Sequence, residues 1–268
     1  MNQFFNSLWH TWLGKPYRLA KTNDSGQGPT VILLHGIGSS GKVWRHIFKH
    51  LPDHRLLSYD LLGFGASPKP TSIGYTVDDH AKSVLYTIDR MSIKKPMIIV
   101  GHSMGCLVAV RVARLRPDLV KHLVLYEMPL YEGLPNKRRY QARVNLYFRF
   151  YEWVARQNPD FLTAKRNFRR TIATKVVGAD LTSATWRPFI LSLKNTIMKQ
   201  GVAKDLPKLR MPADIIYGTR DMVVIRGKVK QTLGLNDNQI TIHTLKEGHS
   251  LSESACVFIA SRVQASIA

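Results

Sequence analysis

Short apolar runs alternate along the chain with segments of helical periodicity. The runs are four or five residues long and end at polar turns: Thr30–Leu34, Arg55–Tyr59, Met97–Val100 and His122–Tyr126. This pattern predicts strands, most of them buried on both faces of a sheet. Segments with helical spacing lie between them: Val43–Leu51, Thr76–Met91 and Met104–Leu115. Strands and helices in alternation predict a parallel sheet with crossover helices.

The alternation stops near residue 130 and resumes near residue 200. The segment between them has helical spacing and is rich in aromatic residues and arginine, as in Tyr140–Gln157. The regular order then returns with four segments: Ala213–Tyr217, Gly227–Leu233, Gln239–Thr244 and Ala255–Ile267. The sequence therefore predicts an α/β fold with a doubly wound, mostly parallel sheet. Residues 1–129 and 200–268 form its core, and residues 130–199 are a helical insertion.

Two features precede the first buried strand. Tyr17–Ala20 is a short strand-like run, and the first fourteen residues place apolar side chains on one helical face. These side chains belong to Phe4, Phe5, Leu8, Trp9, Trp12 and Leu13. We interpret the segment as a helix docked on its own domain. The alternative is a helix for a membrane surface or for substrate access.

The composition places the chain among globular proteins. Of its 268 residues 44% are hydrophobic and 21% are charged, and the apolar runs are far shorter than the roughly 20 residues that span a bilayer. Met1 to Phe5 lack the basic start and apolar core of a secretion signal. Only two cysteines occur, Cys106 and Cys256, which favours a reducing compartment. We expect a cytoplasmic location.

The net charge of +21 is unusual, and residues 131–200 carry +10 of it. A basic surface attracts anionic ligands, lipid surfaces or nucleic acid. Because no aromatic-interleaved RNA-binding motif and no zinc-ligand spacing occurs, no specific nucleic-acid partner is expected. The sequence allows a weak association of the basic insertion with an anionic or lipid surface.

The chemistry centres on Gly101-His102-Ser103-Met104-Gly105, which joins a predicted strand to a predicted helix. In a G-x-S-x-G turn the glycines permit a sharp bend that presents the serine hydroxyl. A serine hydroxyl reacts at neutral pH only when a base takes its proton. This context makes Ser103 the candidate nucleophile.

Two later loops supply candidates for a base and an acid. His249 follows the strand at residues 239–244, and Asp221 follows the strand at residues 213–217. The order serine, aspartate, histidine is the one expected around such a turn in a parallel sheet. Glu127, at the end of the strand His122–Tyr126, is an alternative acid.

An oxyanion formed at Ser103 needs two backbone N–H donors. Met104 directly follows the serine, and Ile37 lies in the turn after the first buried strand; we assign the two N–H groups to them. Asp60 is expected to hold its glycine-rich loop, and His35 and His102 to make local hydrogen bonds. His243 is interpreted as a surface residue.

These residues resemble those of the α/β-hydrolase fold serine hydrolases along nearly the whole chain. The motifs that carry the resemblance are Leu33–Gly38, Tyr59–Ser67, Gly101–Gly105, Tyr217–Asp221 and Gly248-His249. The resemblance implies that residues 130–199 form a cap over the site. It also implies a carboxylesterase-like enzyme that needs no cofactor and no metal. The shortened region before His35 departs from the family pattern, and the single His-Gly pair differs from the three-glycine run of some lipases.

The predicted reaction is hydrolysis of a small-molecule carboxylic ester through an acyl-enzyme on Ser103. Several activities of the same fold stay open: lactonase, monoacylglycerol lipase, C–C bond hydrolase and cofactor-free haloperoxidase. A ligand-binding receptor that keeps the triad is a further alternative. Serine at position 103 excludes the nucleophilic aspartate of dehalogenases and epoxide hydrolases. The natural substrate, its acyl-chain length and the oligomeric state do not follow from the sequence.

Overall fold

The computed structural model describes residues 15–93, 95–131, 138–156, 182–199, 201–221, 223–224 and 239–267. The amphipathic segment predicted in the first fourteen residues and the predicted helix Gly227–Leu233 lie outside these ranges. Among the described residues, no helix has both the length and the apolar character needed to cross a membrane.

A seven-stranded sheet forms the centre of the protein, and its strands lie in the order β1-β3-β2-β4-β5-β6-β7. Only β1 runs antiparallel to its neighbour; the other six strands are parallel. The strands are β1 (Lys21–Ser25), β2 (Thr30–Leu34), β3 (Arg55–Tyr59), β4 (Met97–His102), β5 (Val120–Tyr126), β6 (Ala213–Gly218) and β7 (Ile240–Leu245). The doubly wound, mostly parallel α/β fold is therefore confirmed.

The described helices are α1 (Val77–Ile88), α2 (Met104–Leu115), α3 (Arg138–Ala155), α4 (Ser183–Ser192) and α5 (Glu253–Ala265). Thr76 begins α1 with a capping box, in which its hydroxyl accepts from the N–H of Asp79 and the Asp79 carboxylate accepts from the N–H of Thr76. Both interactions satisfy N–H groups that a helix leaves unpaired. Helices α3 and α4 lie in the predicted insertion, whose division at residues 130 and 199 stays a prediction.

Apolar side chains fill both faces of the sheet. On one face, Ile32 and Ile99 pack with α1, α2 and the apolar side of α4. On the other face, Val31 and Val100 pack with α5 and with the segment around Trp44. Strands β2 and β4 are buried along their whole length, as their continuous apolar runs predict. A core on both faces leaves the carboxyl ends of the strands as the place for loops and chemistry.

Two local predictions are wrong in detail. Val43–Leu51 is not one α-helix but two short 3₁₀ segments, Gly41–His46 and Phe48–His50. Tyr17–Ala20 is not a strand, and the edge strand is the following polar segment, β1. Within Tyr17–Ala20, the side chain of Leu19 is buried in the core, and the carbonyl of Ala20 accepts from the N–H of Asp60 at 2.9 Å. For the edge strand, pairing of β1 with β3, rather than local propensity, decides where the strand lies.

Helix α4 is bonded directly to the core. Ser192, at its end, forms a 3.1 Å hydrogen bond with Nε2 of His80 on α1, and both side chains are completely buried. The chain continues into a π-helical turn, Leu193–Met198, where the hydroxyl of Thr196 donates to the carbonyl of Tyr75 at 2.9 Å. Burial lowers the pKa of His80 to about 3, so it is neutral at physiological pH. Because both side chains are completely buried, we interpret this serine–histidine pair as a structural link between α4 and α1.

Candidate active site

Ser103 lies on a strained turn between β4 and α2. Its φ of 52° is in the left-handed region, which costs an L-residue of order 1–3 kcal/mol. The turn is held because the N–H of Ser103 donates to the carbonyl of Tyr126 at 2.9 Å. A Cβ at Gly105 would lie 2.3 Å from the carbonyl oxygen of Leu34, so only glycine lets α2 approach β2 this closely. The turn therefore places the serine hydroxyl at the carboxyl edge of the sheet.

His249 lies between Ser103 and Asp221. Its Nδ1 is 2.7 Å from Oδ2 of Asp221, and its Nε2 is 3.1 Å from Oγ of Ser103. A carboxylate can only accept, so Nδ1 carries the hydrogen. Nε2 is then the acceptor for the serine hydroxyl. The three candidate residues, separated by up to 146 positions in the chain, are thus brought together in one hydrogen-bonded series.

Asp221 is held as a carboxylate. Its Oδ1 accepts from the N–H groups of Val223 at 2.6 Å and Val224 at 3.1 Å. Burial acts to raise its pKa, but hydrogen bonds with His249 and Glu127 outweigh burial and hold the pKa well below its usual range. A charged Asp221 fixes the tautomer of His249 and stabilises its cationic form.

The two expected oxyanion donors flank the serine. Met104 is the first residue of α2, where backbone N–H groups have no partner within the helix and the dipole favours negative charge. Ile37 follows Gly36 in the turn after β2. A Cβ at Gly36 would lie 3.1 Å from Cβ of Ser103, so this turn passes directly beside the nucleophile. The assignment of the two N–H groups to the oxyanion stays a prediction.

The loop that carries His249 is held by two side chains whose role the sequence did not show. Nε2 of His102 donates to the carbonyl of His249 at 2.8 Å, and the hydroxyl of Tyr126 donates to the carbonyl of Gly248 at 2.7 Å. Burial, together with the nearby His249, lowers the pKa of His102 to about 3. The expected local bond of His102 is therefore wrong, because its partner lies 147 residues further along the chain.

Two structural predictions are confirmed and one is wrong. Asp60 accepts from the N–H groups of Gly41 at 2.8 Å and Ala66 at 2.7 Å, and so holds its loop. His35 makes the expected local contact, with Nδ1 2.7 Å from the carbonyl of Gly36, while its Nε2 accepts from the N–H of the more distant Leu61 at 2.8 Å. His243 is not a free surface residue, since its Nε2 lies 2.7 Å from Oδ1 of the buried Asp214.

Glu127, the alternative acid, lies at the same site. Its carboxyl accepts from the N–H of Gly218, and one of its oxygens, one of Asp221 and a ring nitrogen of His249 lie within 4.8 Å of one another. Among the described residues, this is the group whose donor atoms converge closely enough for a metal ion. Both nitrogens of His249 already make hydrogen bonds, to Ser103 and Asp221, so the donor set is engaged in the serine series.

The fold and the site together define a class of protein. Its members have a mostly parallel α/β sheet, with a strained serine turn and a hydrogen-bonded serine–histidine–aspartate series at the carboxyl edge of that sheet. A model of the alpha/beta hydrolase fold family matches residues 29–254. The chain belongs to this family.

Known proteins with esterase and lysophospholipase names are similar to parts of the chain. A probable lysophospholipase, BODYGUARD 4 of Arabidopsis thaliana, is 41% identical over 108 residues, which is 38% of this chain and 25% of that protein. A probable esterase of Oryza sativa subsp. japonica is 27% identical over 223 residues, 74% of this chain and 76% of that protein. The match therefore spans only about a quarter of the length of the first relative.

The structural likeness extends further than the sequence likeness. A crystal structure of a putative acyltransferase from Salmonella enterica superposes with a TM-score of 0.71 at 20% identity, covering 94% of each chain. At this identity the likeness supports the fold alone. The activities named for the sequence relatives are hydrolyses of ester bonds.

Proposed function

We propose that the protein is a serine hydrolase that cleaves carboxylic esters through an acyl-enzyme on Ser103. The observation that carries the proposal is the unbroken series from the Ser103 hydroxyl through His249 to the charged Asp221. The series begins at a residue whose left-handed backbone presents the hydroxyl at the sheet edge. The ester-hydrolase names of the sequence relatives support the same reaction class.

The mechanism follows from the hydrogen-bond roles. Nε2 of His249 takes the Ser103 proton while Oγ attacks the ester carbonyl carbon, and the N–H groups of Ile37 and Met104 stabilise the oxyanion. His249 then gives the proton to the leaving alcohol, and the acyl group stays on Ser103. In the second half His249 takes a proton from water, the hydroxide attacks the acyl carbon, and the acid leaves as Ser103 regains its proton.

The residues of the predicted cap favour an apolar acyl group. Tyr131 follows β5 and Tyr151 lies on α3, and their buried hydroxyl oxygens are 3.3 Å apart. Phe148 packs edge-on against Tyr131, with ring centroids 5.6 Å apart. Burial raises the pKa of Tyr131 well above its usual value, so its ring stays neutral. An acyl group that reached this aromatic cluster would be apolar rather than charged, so we expect esters with apolar acyl chains to be preferred over small charged esters.

The outer side of α3 fits weak contact with an anionic lipid surface. Leu146, Phe150 and Trp153 recur at helical spacing; Leu146 is 64% exposed and Trp153 is 39% exposed. Exposed arginines, including Arg143 and Arg149, lie beside them. An exposed apolar stripe with a basic rim is typical of helices at membrane interfaces. Sedimentation with phosphatidylglycerol vesicles should exceed that with phosphatidylcholine vesicles and fall with salt; equal sedimentation would contradict this contact.

A fluorophosphonate probe followed by intact-mass measurement tests the nucleophile. The wild-type protein should gain one phosphonyl group and hydrolyse short p-nitrophenyl esters, and Ser103→Ala should do neither while keeping its circular dichroism spectrum. Ser192→Ala is the matched control, because it removes the hydroxyl of the other serine–histidine pair. It should label like the wild type. Ester turnover by Ser103→Ala at the wild-type rate would overturn the proposal, and so would a protein that binds esters without acylation.

A further inference from the structure

Tyr126 is bonded both to the nucleophile and to the loop of the base. It is the last residue of β5, and its side chain is completely buried. Its backbone carbonyl accepts from the N–H of Ser103 at 2.9 Å, and its hydroxyl donates to the carbonyl of Gly248 at 2.7 Å. Because Ser103 and His249 are 146 positions apart in the chain, one residue of a third segment holds two distant loops together.

His102 adds a second bond to the loop of the base. It directly precedes Ser103, and its Nε2 donates to the carbonyl of His249 at 2.8 Å. Its ring centroid lies 5.7 Å from that of Tyr126, whose hydroxyl is bonded to the preceding carbonyl, that of Gly248. Two neighbouring rings therefore donate to two successive carbonyls. Two such bonds restrict the rotation of the segment as well as its position.

Packing does not confine the loop at Gly248. A Cβ added there would have no atom of the described residues within 4 Å, apart from its own chain neighbours. The position of the loop matters, because Nε2 of His249 is 3.1 Å from Oγ of Ser103 and a base works within about 2.6–3.2 Å of that oxygen. A displacement of about 1 Å can cost on the order of 100-fold in rate. A small shift of this loop would therefore separate the base from the nucleophile.

Tyr217 shows that a buried tyrosine at this edge of the sheet does not need a bonded hydroxyl. It lies near the end of β6, beside Tyr126 on β5, and its side chain is also buried. Among the described residues, the hydroxyl of Tyr217 has no hydrogen-bond partner. The two tyrosines share a buried ring and differ in the bond that the hydroxyl makes. The hydroxyl of Tyr126 is thus a specific contact to the loop of His249.

We propose that Tyr126 and His102 are positioning residues that hold His249 at bonding distance from Ser103. We call their two bonds to the carbonyls of Gly248 and His249 the loop clamp. The catalytic role of the loop clamp rests on the proposed function, whereas the position that it gives to His249 does not. Neither residue touches the reacting atoms, and both act through the backbone of the loop.

Tyr126→Phe removes one hydroxyl and keeps the ring, and Tyr217→Phe is its matched control. With short p-nitrophenyl esters, Tyr126→Phe should lower kcat by about tenfold and leave KM nearly unchanged, as expected for a displacement of roughly half an ångström. Labelling by a fluorophosphonate should slow by a similar factor. Tyr217→Phe should behave like the wild type. Equal kcat in Tyr126→Phe and the wild type, or equal losses in the two variants, would overturn the proposal.

Substitutions of His102 test whether the two bonds act as one clamp. His102→Leu has no donor and should slow fluorophosphonate labelling by about tenfold, whereas His102→Gln keeps a side-chain N–H and should recover most of the rate. Residues that act on the same loop should not contribute independently. The combined variant Tyr126→Phe/His102→Leu should therefore lose less than the product of the two single losses. Losses that multiply would contradict a single clamp.

Proton NMR tests the position of His249 without any enzymatic activity. The Nδ1–H that is bonded to Asp221 should give a downfield imidazole resonance, identified by its absence from His249→Gln. This resonance should shift or broaden in Tyr126→Phe and stay unchanged in Tyr217→Phe; no change in either would overturn the proposal. If the resonance responds and the wild-type Ser103 is unreactive, the proposed function fails and the positioning of His249 stands. If Ser103 reacts equally in the wild type and Tyr126→Phe, the loop clamp fails and the proposed function stands.

Discussion

Strands β5, β6 and β7 carry two aspartate–histidine clusters, one beyond the strand ends and one within the strands. The strand-end cluster consists of Ser103, Glu127, Asp221 and His249. The mid-strand cluster consists of His122, Asp214 and His243 on the strands, together with Arg262 on α5. Asp214 accepts from the two histidines at 2.9 and 2.7 Å and lies 3.3 Å from Nε of Arg262. Both have a buried aspartate bonded to a histidine, so this pair alone does not define a catalytic site.

The two clusters differ in the groups that surround the aspartate–histidine pair. His249 meets a serine hydroxyl on a strained turn, and a second carboxyl group, that of Glu127, lies within 4.8 Å of its acid. In the mid-strand cluster the aspartate is surrounded by basic groups. Burial acts to raise the pKa of Asp214, but the hydrogen bonds of His122 and His243 outweigh it and lower the pKa to about 2. We therefore expect the first cluster to contribute to reactivity and the second to contribute to stability.

The largest expected difference concerns the two aspartates in catalysis. Asp221→Asn should lower kcat for p-nitrophenyl esters by about 10³- to 10⁴-fold, because an amide can hold His249 in the wrong tautomer. Its unfolding midpoint should change little. A loss smaller than tenfold would contradict the assignment and would transfer the role of the acid to Glu127.

Asp214→Asn should have the opposite effect to Asp221→Asn, lowering stability while leaving kcat unchanged. The free energy of unfolding should fall by about 2–4 kcal/mol, because the substitution removes a buried charge that basic groups surround. The value of kcat below the unfolding transition should be retained. Urea unfolding measures the first quantity and ester hydrolysis the second.

Asp118→Asn is the control for Asp214→Asn, since Asp118 makes an exposed pair with Arg116. Exposed pairs contribute little, so its stability should stay near that of the wild type. Parallel loss of activity and stability in Asp214→Asn would show that the two clusters are not independent.

The smallest expected effect is on the pH dependence of stability. Because the folded-state pKa of Asp214 is below that of the unfolded chain, its contribution is present above about pH 4 and is lost as the pH falls toward 2. The stability difference between wild type and Asp214→Asn should therefore narrow between about pH 5 and pH 2. Unfolding measured at several pH values checks this; a constant difference would mean that Asp214 titrates normally.

The sequence predicted the parts of this comparison that depend on local pattern. Buried strands such as Thr30–Leu34 and the helix Met104–Leu115 have the predicted bounds, because short apolar runs and helical spacing are local properties. The order of Ser103, Asp221 and His249 was sufficient to select residues that the structure brings together.

The remaining features depend on contacts between distant parts of the chain. The partner of His102 lies in the loop of His249, and the partner of His243 lies on a neighbouring strand. Spacing along the chain cannot identify such partners, because hydrogen bonds across a sheet depend on strand order. Glu127 was visible as an acid after β5, but its burial beside Asp221 was not.

The link between Ser192 and His80 has a consequence for protein engineering. Residues 183–198 are tied to the core through buried hydrogen bonds, and Pro188 packs where a side chain at Gly63 would collide with it. Consider a chimera in which part of the predicted cap is replaced by that of a relative in order to change the substrate preference. The C-terminal junction of the replaced segment should lie before residue 182, so that α4 and α1 come from the same protein. A junction at residue 199 would separate two halves of one packing unit, and the hybrid would express poorly whatever its new specificity.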